Sequence, residues 1–281
     1  MILDGKRVSQ VLLENIKKEV ESYTSKPKVV DIFIGDNAAS EIYIKNKRKA
    51  CLQVGIIFEE ITFSENVTEE EILTSIKKLN NDVSVHAILV QLPFPKRLNS
   101  KTIINTIHPK KDVDGLTDYN QIRLFHNENT MVPCTPKGIL RLLKEYQISL
   151  QDKNVVLLGR GALVGKPLLP LLLKENANVM VCHSKTSDLK KYTKNADVLI
   201  CATNQPNLIS KDMVKKDGIV VDVGIFYDTK THKIYGNVKK EVEDIVKYIT
   251  PVPGGIGPMT VALFIENILI CYKNQMSVDR D

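Results

Sequence analysis

The feature that most constrains this chain is a glycine turn set between an apolar strand and a helix. Val155-Val156-Leu157-Leu158 reads as a strand, Gly159-Arg160-Gly161-Ala162-Leu163-Val164-Gly165 as a turn, and 168–174 as a helix. A strand that runs straight into a helix is the first half of a βαβ unit, and repeats of that unit build a parallel sheet. Glycines let the chain turn tightly and bring backbone N–H groups close to a pyrophosphate at the helix N-terminus. The spacing G-x-G-x-x-x-G is one residue longer than the usual fingerprint, whereas the strand-turn-helix context is the one that fingerprint requires. The turn therefore supplies candidate cofactor residues Gly159, Arg160, Gly161, Val164 and Gly165.

The rest of the chain extends this pattern in two series. The first comprises a helix over 8–23, a strand over 29–34, a helix over 38–54, a strand opening at 56–58, a helix over 68–79 and a fully apolar strand, Ala87-Ile88-Leu89-Val90. Thr68 with Glu71 three residues on is a capping-box pattern. A short helix and a loop follow, then a polar, interrupted segment over 119–136 in which the chain crosses between domains. The second series has a helix over 138–146, the glycine turn with its flanking elements, and strands at 179–182, 198–201 and 219–223. A last helix over 259–272 follows a rigid Pro-Gly loop. The expected fold is α/β with two domains: an N-terminal α/β catalytic domain over 1–120 joined by the C-terminal helix over 259–281, and a Rossmann-type dinucleotide-binding domain over 137–258, with a cleft between them.

Composition narrows the function classes. In 281 residues, 43% are hydrophobic, 26% are charged and the net charge is +6. The lysines are spread out rather than massed with aromatics, which is not a nucleic-acid signature. The five cysteines are widely spaced without a C-x-x-C pair, which argues against a disulfide framework or a zinc site and for a reducing compartment. No apolar h-region opens the chain, and no unbroken apolar run has the length of a membrane span, so the expectation is a soluble cytoplasmic protein without metal, nucleic-acid or membrane partner.

Several side chains carry chemistry. On a helix, Ser40, Tyr43 and Lys47 lie at i, i+3 and i+7 and share a face. A lysine works in catalysis when partial burial and cationic neighbours shift its pKa, and Lys45, Arg48 and Lys49 are the neighbours in sequence. The alternative is a solvated basic face. Gln91 stands just past the carboxyl end of an apolar strand, where open α/β sheets bind ligands, and is followed by Leu92 and Pro93. Asp112 and Asp114 flank Val113, so alternation sends their carboxylates to opposite sides. One could accept two N–H bonds from an aminopyrimidine edge, or both could pair with Lys110 and Lys111 in a charged turn. After the strand over 179–182 come His183, Ser184 and Lys185, with no acid before Asp188, which favours NADP over NAD. In the loop 251–258, Pro253, Gly254, Gly255 and Gly257 combine stiffness with backbone open to a flat ligand, and one X-Pro bond is a candidate for cis.

Together these segments resemble one family. Ser40-x-x-Tyr43-x-x-x-Lys47, Val90-Gln91-Leu92-Pro93-Phe94-Pro95, Lys111-Asp112-Val113-Asp114-Gly115, Pro133-Cys134-Thr135-Pro136, Gly159-Arg160 with Val164-Gly165-x-Pro167, His183-Ser184-Lys185-Thr186 and Pro253-Gly254-Gly255-x-Gly257-Pro258-Met259-Thr260 occur in its order. The chain resembles the bacterial bifunctional methylenetetrahydrofolate dehydrogenase/methenyltetrahydrofolate cyclohydrolases over nearly its whole length. The resemblance implies tetrahydrofolate substrates, NADP as cofactor, and a homodimer formed through the cofactor domain. It makes Lys47 the catalytic lysine, with Tyr43 its partner above the folate, Gln91 its assistant and Asp114 the pterin ligand. Ser40, Leu92, Pro93 and the loop glycines belong to the substrate site. Arg160 and Ser184 serve the NADP phosphate, with Thr135 among the cofactor residues and Ile225 on the nicotinamide side.

One position departs from the family pattern. Gly161 stands where the family usually has serine, which removes a hydroxyl near the phosphates and leaves open a member that kept only the cyclohydrolase. A short-chain dehydrogenase also uses Tyr-x-x-x-Lys, but its glycine turn precedes that pair, the reverse of the order here. A dinucleotide-binding regulatory protein without turnover is the alternative from another class.

Overall fold

The computed structural model describes residues 1–36, 38–228 and 233–276, with only the backbone described for 38–40. It divides into two compact units. One comprises Val11–Leu124, Glu128–Cys134 and the chain from Val261 onward; the other comprises Met1–Gln10, Phe125–Asn127 and Thr135–Thr260.

The first unit is built from most of α1 (Gly5–Glu21), then β1 (Lys28–Ile34), α2 (Ala38–Val54), β2 (Ile57–Phe63), α3 (Glu69–Asn81), β3 (Ala87–Val90), α4 (Ser100–Thr106) and most of α5 (Asp118–Phe125). Its sheet is parallel, in the order β2-β1-β3. Alternation along β1 sends Val30, Ile32 and Ile34 into a core with Ile72 and Ile76 of α3 and Ile103 of α4. The opposite face of β1 carries Val29, Asp31 and Phe33, all buried. Register pairs Asp31 with Glu60 of β2 and Leu89 of β3, so these three share a face. The capping box at α3 forms as its sequence requires, with Thr68 and Glu71 each satisfying the other's backbone N–H.

The second unit contains most of α6 (Cys134–Glu145), then β4 (Asn154–Leu158), α7 (Gly165–Lys174), β5 (Asn178–Cys182), α8 (Leu189–Thr193), β6 (Val198–Cys201), β7 (Ile219–Asp222), the β8–β9 hairpin (Phe226–Asp228 and Lys233–Tyr235) and β10 (Tyr248–Ile249). Its sheet is also parallel, in the order β10-β7-β6-β4-β5, with β4 central. Val156, Leu158, Leu199, Cys201 and Val220 form its core on one face.

The sequence reading differs from the structure in several places. The polar stretch after residue 117 contains helix α5, whose N-terminal residues are anchored by Thr117 and Asn120 rather than by an apolar stripe. The hairpin β8–β9 and the two-residue β10 are too short to leave a periodic signal. The last helix, α9 (Ile256–Met276), starts ahead of the expected Met259, and Pro258 lies in its first turn. The expected end of that helix, 277–281, lies outside the described residues. With 21 residues and an 18-residue stretch of mean hydropathy 1.3, α9 is long and apolar enough to cross a membrane by length and composition, which corrects the expectation that no segment reaches that mark. An unbroken apolar run was the wrong criterion, because Glu266, Asn267 and Lys273 interrupt a helix that remains apolar on average. Most of its apolar side chains are buried in the fold, among them Leu263, Phe264, Ile265, Ile268 and Leu269. Asn267, fully buried, donates its amide to the carbonyls of Val113 and Val132 at 2.9 Å each, so this helix carries polar ties to its own protein.

Candidate active site

Helix α2 places Lys47 against β3. Lys47 is only 6% exposed, and its Nζ donates to Gln91 Oε1 at 3.2 Å. The ammonium also stands 4.8 Å from the centroid of the Phe264 ring of α9, within cation–π range. Gln91 follows β3 directly, and its backbone N–H still donates to Ile32 O, so the sheet ladder fixes where its amide begins. Among the described residues no carboxylate is bonded to this lysine, so Nζ, which has three donors and gives one to Gln91, keeps donors for a substrate.

Tyr43, one turn before Lys47, is half-buried, and burial pushes its phenol above the usual range. The side chain of Ser40 lies outside the described residues. The expected cationic neighbours of Lys47 are otherwise engaged. Lys45 is exposed with its ammonium 3.8 Å from Glu41, Arg48 pairs with Glu60 and lies over Phe58, and Lys49 is exposed. Residues one or two positions away project from other faces of a helix, so closeness in sequence did not become closeness in space.

The two aspartates after β3 have separate tasks. Asp112 is buried, and its carboxylate accepts from the backbone N–H of Leu116 and Thr117 and from Asn120 Nδ2 at 2.8 Å. Burial raises its pKa, and those bonds work in the opposite direction. Neither aspartate forms the expected charged turn with Lys111, whose buried ammonium donates to the carbonyls of Leu79 and Asp82. Asp114 is half-buried, and Cys134 Sγ donates to its Oδ1 at 3.2 Å. Leu92 and Pro93 are joined by a cis peptide bond next to Gln91.

The sequence reading missed the most unusual group in this unit. Asp31 of β1 is fully buried, and among the described residues neither carboxyl oxygen has a hydrogen-bond partner. Burial pushes its pKa up to about 7, with Lys47 the largest charge acting in the opposite direction. Its signal was in plain view, a single acid inside the otherwise apolar run Val29-Val30-Asp31-Ile32-Phe33-Ile34. Phe264 was also missed, because nothing in sequence ties residue 264 to residue 47.

In the other unit, the glycine turn is shaped by crowding at two of its three glycines. Gly159 has φ +112°, and a Cβ there would lie 2.1 Å from Ala202 O; a Cβ on Gly165 would lie 2.3 Å from Gly159 O. Only glycine fits either position. A Cβ on Gly161 would meet nothing within 4 Å, so that face of the turn is open. No side chain caps α7 at Val164, and Arg160 is exposed beside the turn. Gly159 N–H donates to Cys182 O, which sets the turn next to the end of β5, where Ser184 and Lys185 are exposed. Asp188, the nearest acid, caps α8 through the Lys191 N–H. An open, uncapped helix N-terminus bordered by Arg160, Ser184 and Lys185 fits a dinucleotide with a further phosphate on its ribose.

The remaining expected residues lie in the same unit. Val252 and Pro253 are joined by a cis bond, and Gly254 has φ +113°. Gly254 and Gly255 also seat the chain's start: Lys6 N–H donates to Gly254 O, and a Cβ on Gly5 would lie 1.9 Å from Gly255 O. Ile225 is exposed, and its Cδ1 would stand 3.3 Å from a Cβ on Gly257. The loop carrying Ile225 is organised by buried Asp222, which accepts from the N–H groups of Gly224, Asn237 and Val238, a role the sequence reading did not see. Thr135 Oγ1 lies 3.0 Å from Thr260 Oγ1. Among the described residues, no group of three or more His, Cys, Asp or Glu side chains could hold a metal ion.

A glycine turn built for a dinucleotide in one unit and a buried lysine–glutamine pair in the other define a two-part, nucleotide-dependent α/β protein. Family profiles agree with both parts: the tetrahydrofolate dehydrogenase/cyclohydrolase catalytic domain matches residues 3–114, and the NAD(P)-binding domain of the same name matches residues 133–276. The chain belongs to the tetrahydrofolate dehydrogenase/cyclohydrolase family. It is 46% identical over 278 residues to the bifunctional protein FolD of Mycoplasma mycoides, covering 97% of this chain and 96% of that one. The crystal structure of the bifunctional FolD from Campylobacter jejuni superposes with a TM-score of 0.94 at 43% identity, covering 98% of this chain and 99% of that one. The Trypanosoma brucei FolD, solved with NADP and an inhibitor, gives a TM-score of 0.94 at 31% identity, covering 98% of each chain.

Asp31 makes stability depend on pH in a particular direction. Its folded pKa, about 7, lies above its ordinary 3.8, so between those values the folded chain holds a proton that the unfolded chain has released. Stability is therefore lost as pH rises from about 4 through 7, and the loss is complete above that. Asp31→Val should unfold at higher urea concentration than the parent at pH 8, by about 1–3 kcal/mol, with the gain shrinking toward pH 5. An equal gain at both pH values would contradict this account.

Proposed function

We propose that this chain oxidises 5,10-methylenetetrahydrofolate to the 5,10-methenyl form with NADP⁺, and hydrolyses the methenyl form to 10-formyltetrahydrofolate. The observation that carries this reading is the buried Lys47–Gln91 pair, in a chain that matches the family along nearly its whole length. NADP, when bound, supplies the acceptor for the hydride that leaves the methylene carbon. The protein's task in that step is to hold the reactants in place, because the folate nitrogen lone pair stabilises the cation that forms. Arg160, Ser184 and Lys185 would hold the ribose phosphate, and the glycine turn with Val164 would hold the pyrophosphate; Thr135 is a further cofactor residue by the family pattern. Ile225 flanks the nicotinamide.

Hydrolysis falls to the other half-site. Lys47 moves a proton as water adds to the methenyl carbon and the ring opens. Gln91 fixes Nζ by the bond already made, and Tyr43 packs above the folate ring. Asp114 accepts the N–H groups of the pterin edge, and the thiol of Cys134 orients its carboxylate. By the same reading, Ser40, Leu92 and Pro93 belong to the substrate wall of this unit, and the backbone of Pro253, Gly254, Gly255 and Gly257 supplies the substrate residues of the cofactor unit. The division of the chain is read as 1–120 with the last helix for the folate, and 137–258 for NADP. The same reading makes the enzyme cytoplasmic, which suits five cysteines that are all free and buried.

A homodimer through the cofactor unit accompanies this function. β5 is the edge strand of its sheet, and Met180 on it is 45% exposed. Sedimentation equilibrium should give twice the chain mass of 31.6 kDa, and a monomer at micromolar concentration would remove this part of the proposal.

Two further measurements test the chemistry. Mixed with methylenetetrahydrofolate and NADP⁺, the protein should yield NADPH and then 10-formyl product. Lys47→Met should lower hydrolysis by at least about 100-fold while leaving the NADP dissociation constant unchanged. Substantial hydrolysis by that variant would refute the lysine's role. Gly161→Ser fits without a clash, because a Cβ there meets nothing, and its hydroxyl should tighten NADP binding by about 3- to 10-fold. Unchanged affinity would mean that the missing hydroxyl does not weaken the dehydrogenase.

A further inference from the structure

Behind Lys47 lies a second titratable group that the chemistry above does not use. Strand alternation puts Ala87, Leu89 and Gln91 on one face of the sheet, and register puts Asp31 beside Leu89 on that face. Lys47 reaches the same face by its bond to Gln91. Cys51, one turn after Lys47 on α2, is fully buried and feels the charges of both Lys47 and Asp31. Asp31 therefore sits under α2 in the layer from which Lys47 projects toward substrate.

We infer that Asp31 is a positioning residue for the hydrolysis reaction, a buried carboxyl that sets the protonation of Lys47 through space. A carboxylate that served only the fold would be hydrogen-bonded, because leaving a buried polar group unpaired is costly. Both oxygens of Asp31 are unpaired, whereas the neighbouring Asp112, buried to the same degree, has its bonds filled. The groups that act on Asp31 come from three directions. Helix α2 contributes Lys47, Arg48 and Cys51, β2 contributes Glu60, and the loop after β3 contributes Asp114. Arg48 and Glu60 are bonded to each other, and Asp114 is engaged by Cys134, which leaves Lys47 as the cation facing Asp31 without a carboxylate bond described. The other group described against the Lys47 ammonium, the Phe264 ring, is uncharged.

The consequence is a coupled pair. When Asp31 is ionised, it favours the ammonium form of Lys47; when it is protonated, that bias is gone. Proton transfer at the folate then depends on the protonation of a residue that never touches it. The inference rests on the hydrolase reading above, and its test separates the two. The rate of methenyltetrahydrofolate hydrolysis, corrected for the spontaneous reaction, is measured from pH 5.5 to 9 for the parent, Asp31→Asn and Asp31→Val. In both variants, the limb set by Lys47 should move to lower pH by about one unit, whichever protonation state of the lysine is active, because each removes the same negative charge. Profiles that superpose after scaling by a constant would reduce Asp31 to a structural role and overturn the inference.

A second measurement does not need turnover or a foldable Asp31 variant. Carboxyl-carbon NMR of aspartate-labelled protein should show a resonance titrating near neutrality. That resonance, assigned to Asp31 by its absence from either variant or by its distance from solvent relaxation agents, should titrate at higher pH in Lys47→Met. An unchanged titration in Lys47→Met would overturn the coupling. A parent enzyme that hydrolyses nothing would overturn the function proposed above, and the NMR titration would still decide the coupling.

Discussion

The burial of one ammonium group organises this protein's catalytic half. Charged lysine is rarely buried, since removing it from water costs several kcal/mol unless something replaces the water. Around Lys47 the replacements come from separate parts of the chain: an amide at the end of β3 and an aromatic ring on α9. Neither neutralises it. Helix α2, strand β3 and helix α9 must all be in place before the side chain has any favourable position, so the catalytic geometry and the packing of this unit are formed by the same contacts. Asp31 lies on the same face of the sheet, fully buried, with neither carboxyl oxygen hydrogen-bonded among the described residues.

The dinucleotide half relies on a different constraint, the absence of side chains. Gly159 and Gly165 are demanded by backbone that passes within contact distance of where a Cβ would be, and they fold the turn whether or not a ligand is present. Gly161 is under no such demand. A Cβ there would meet nothing within 4 Å, so the position is free of steric control. Asp188 caps the N-terminus of α8 with its Oδ1, and Ser184 and Lys185 are exposed at the end of β5.

Much of this was legible in the residues before any coordinates. The two α/β series, the parallel sheets, the capping box at Thr68 and the glycine turn all follow from local patterns with a short reach. The helical stripe correctly placed Tyr43 and Lys47 on a shared side. What the sequence concealed was long-range. Lys45, Arg48 and Lys49 looked like the surroundings of Lys47 because they are adjacent in the chain, whereas its real surroundings are Gln91 and Phe264, far away in sequence. Asp31 was hidden for the opposite reason: an acid within an apolar strand is conspicuous, but its significance appears only when register aligns it with Leu89, two residues before Gln91. Asp222 was read as part of a strand over 219–223, and only the fold shows that it gathers three backbone N–H groups to shape the loop bearing Ile225.

The amide of Asn267 joins the carbonyls of Val113 and Val132. Those two residues immediately precede, at one end, Asp114 and, at the other, the Pro133-Cys134 step, so the stretch between them is an excursion pinched shut at its neck. An insertion inside that excursion would therefore lengthen a loop whose two ends stay tied by one buried amide.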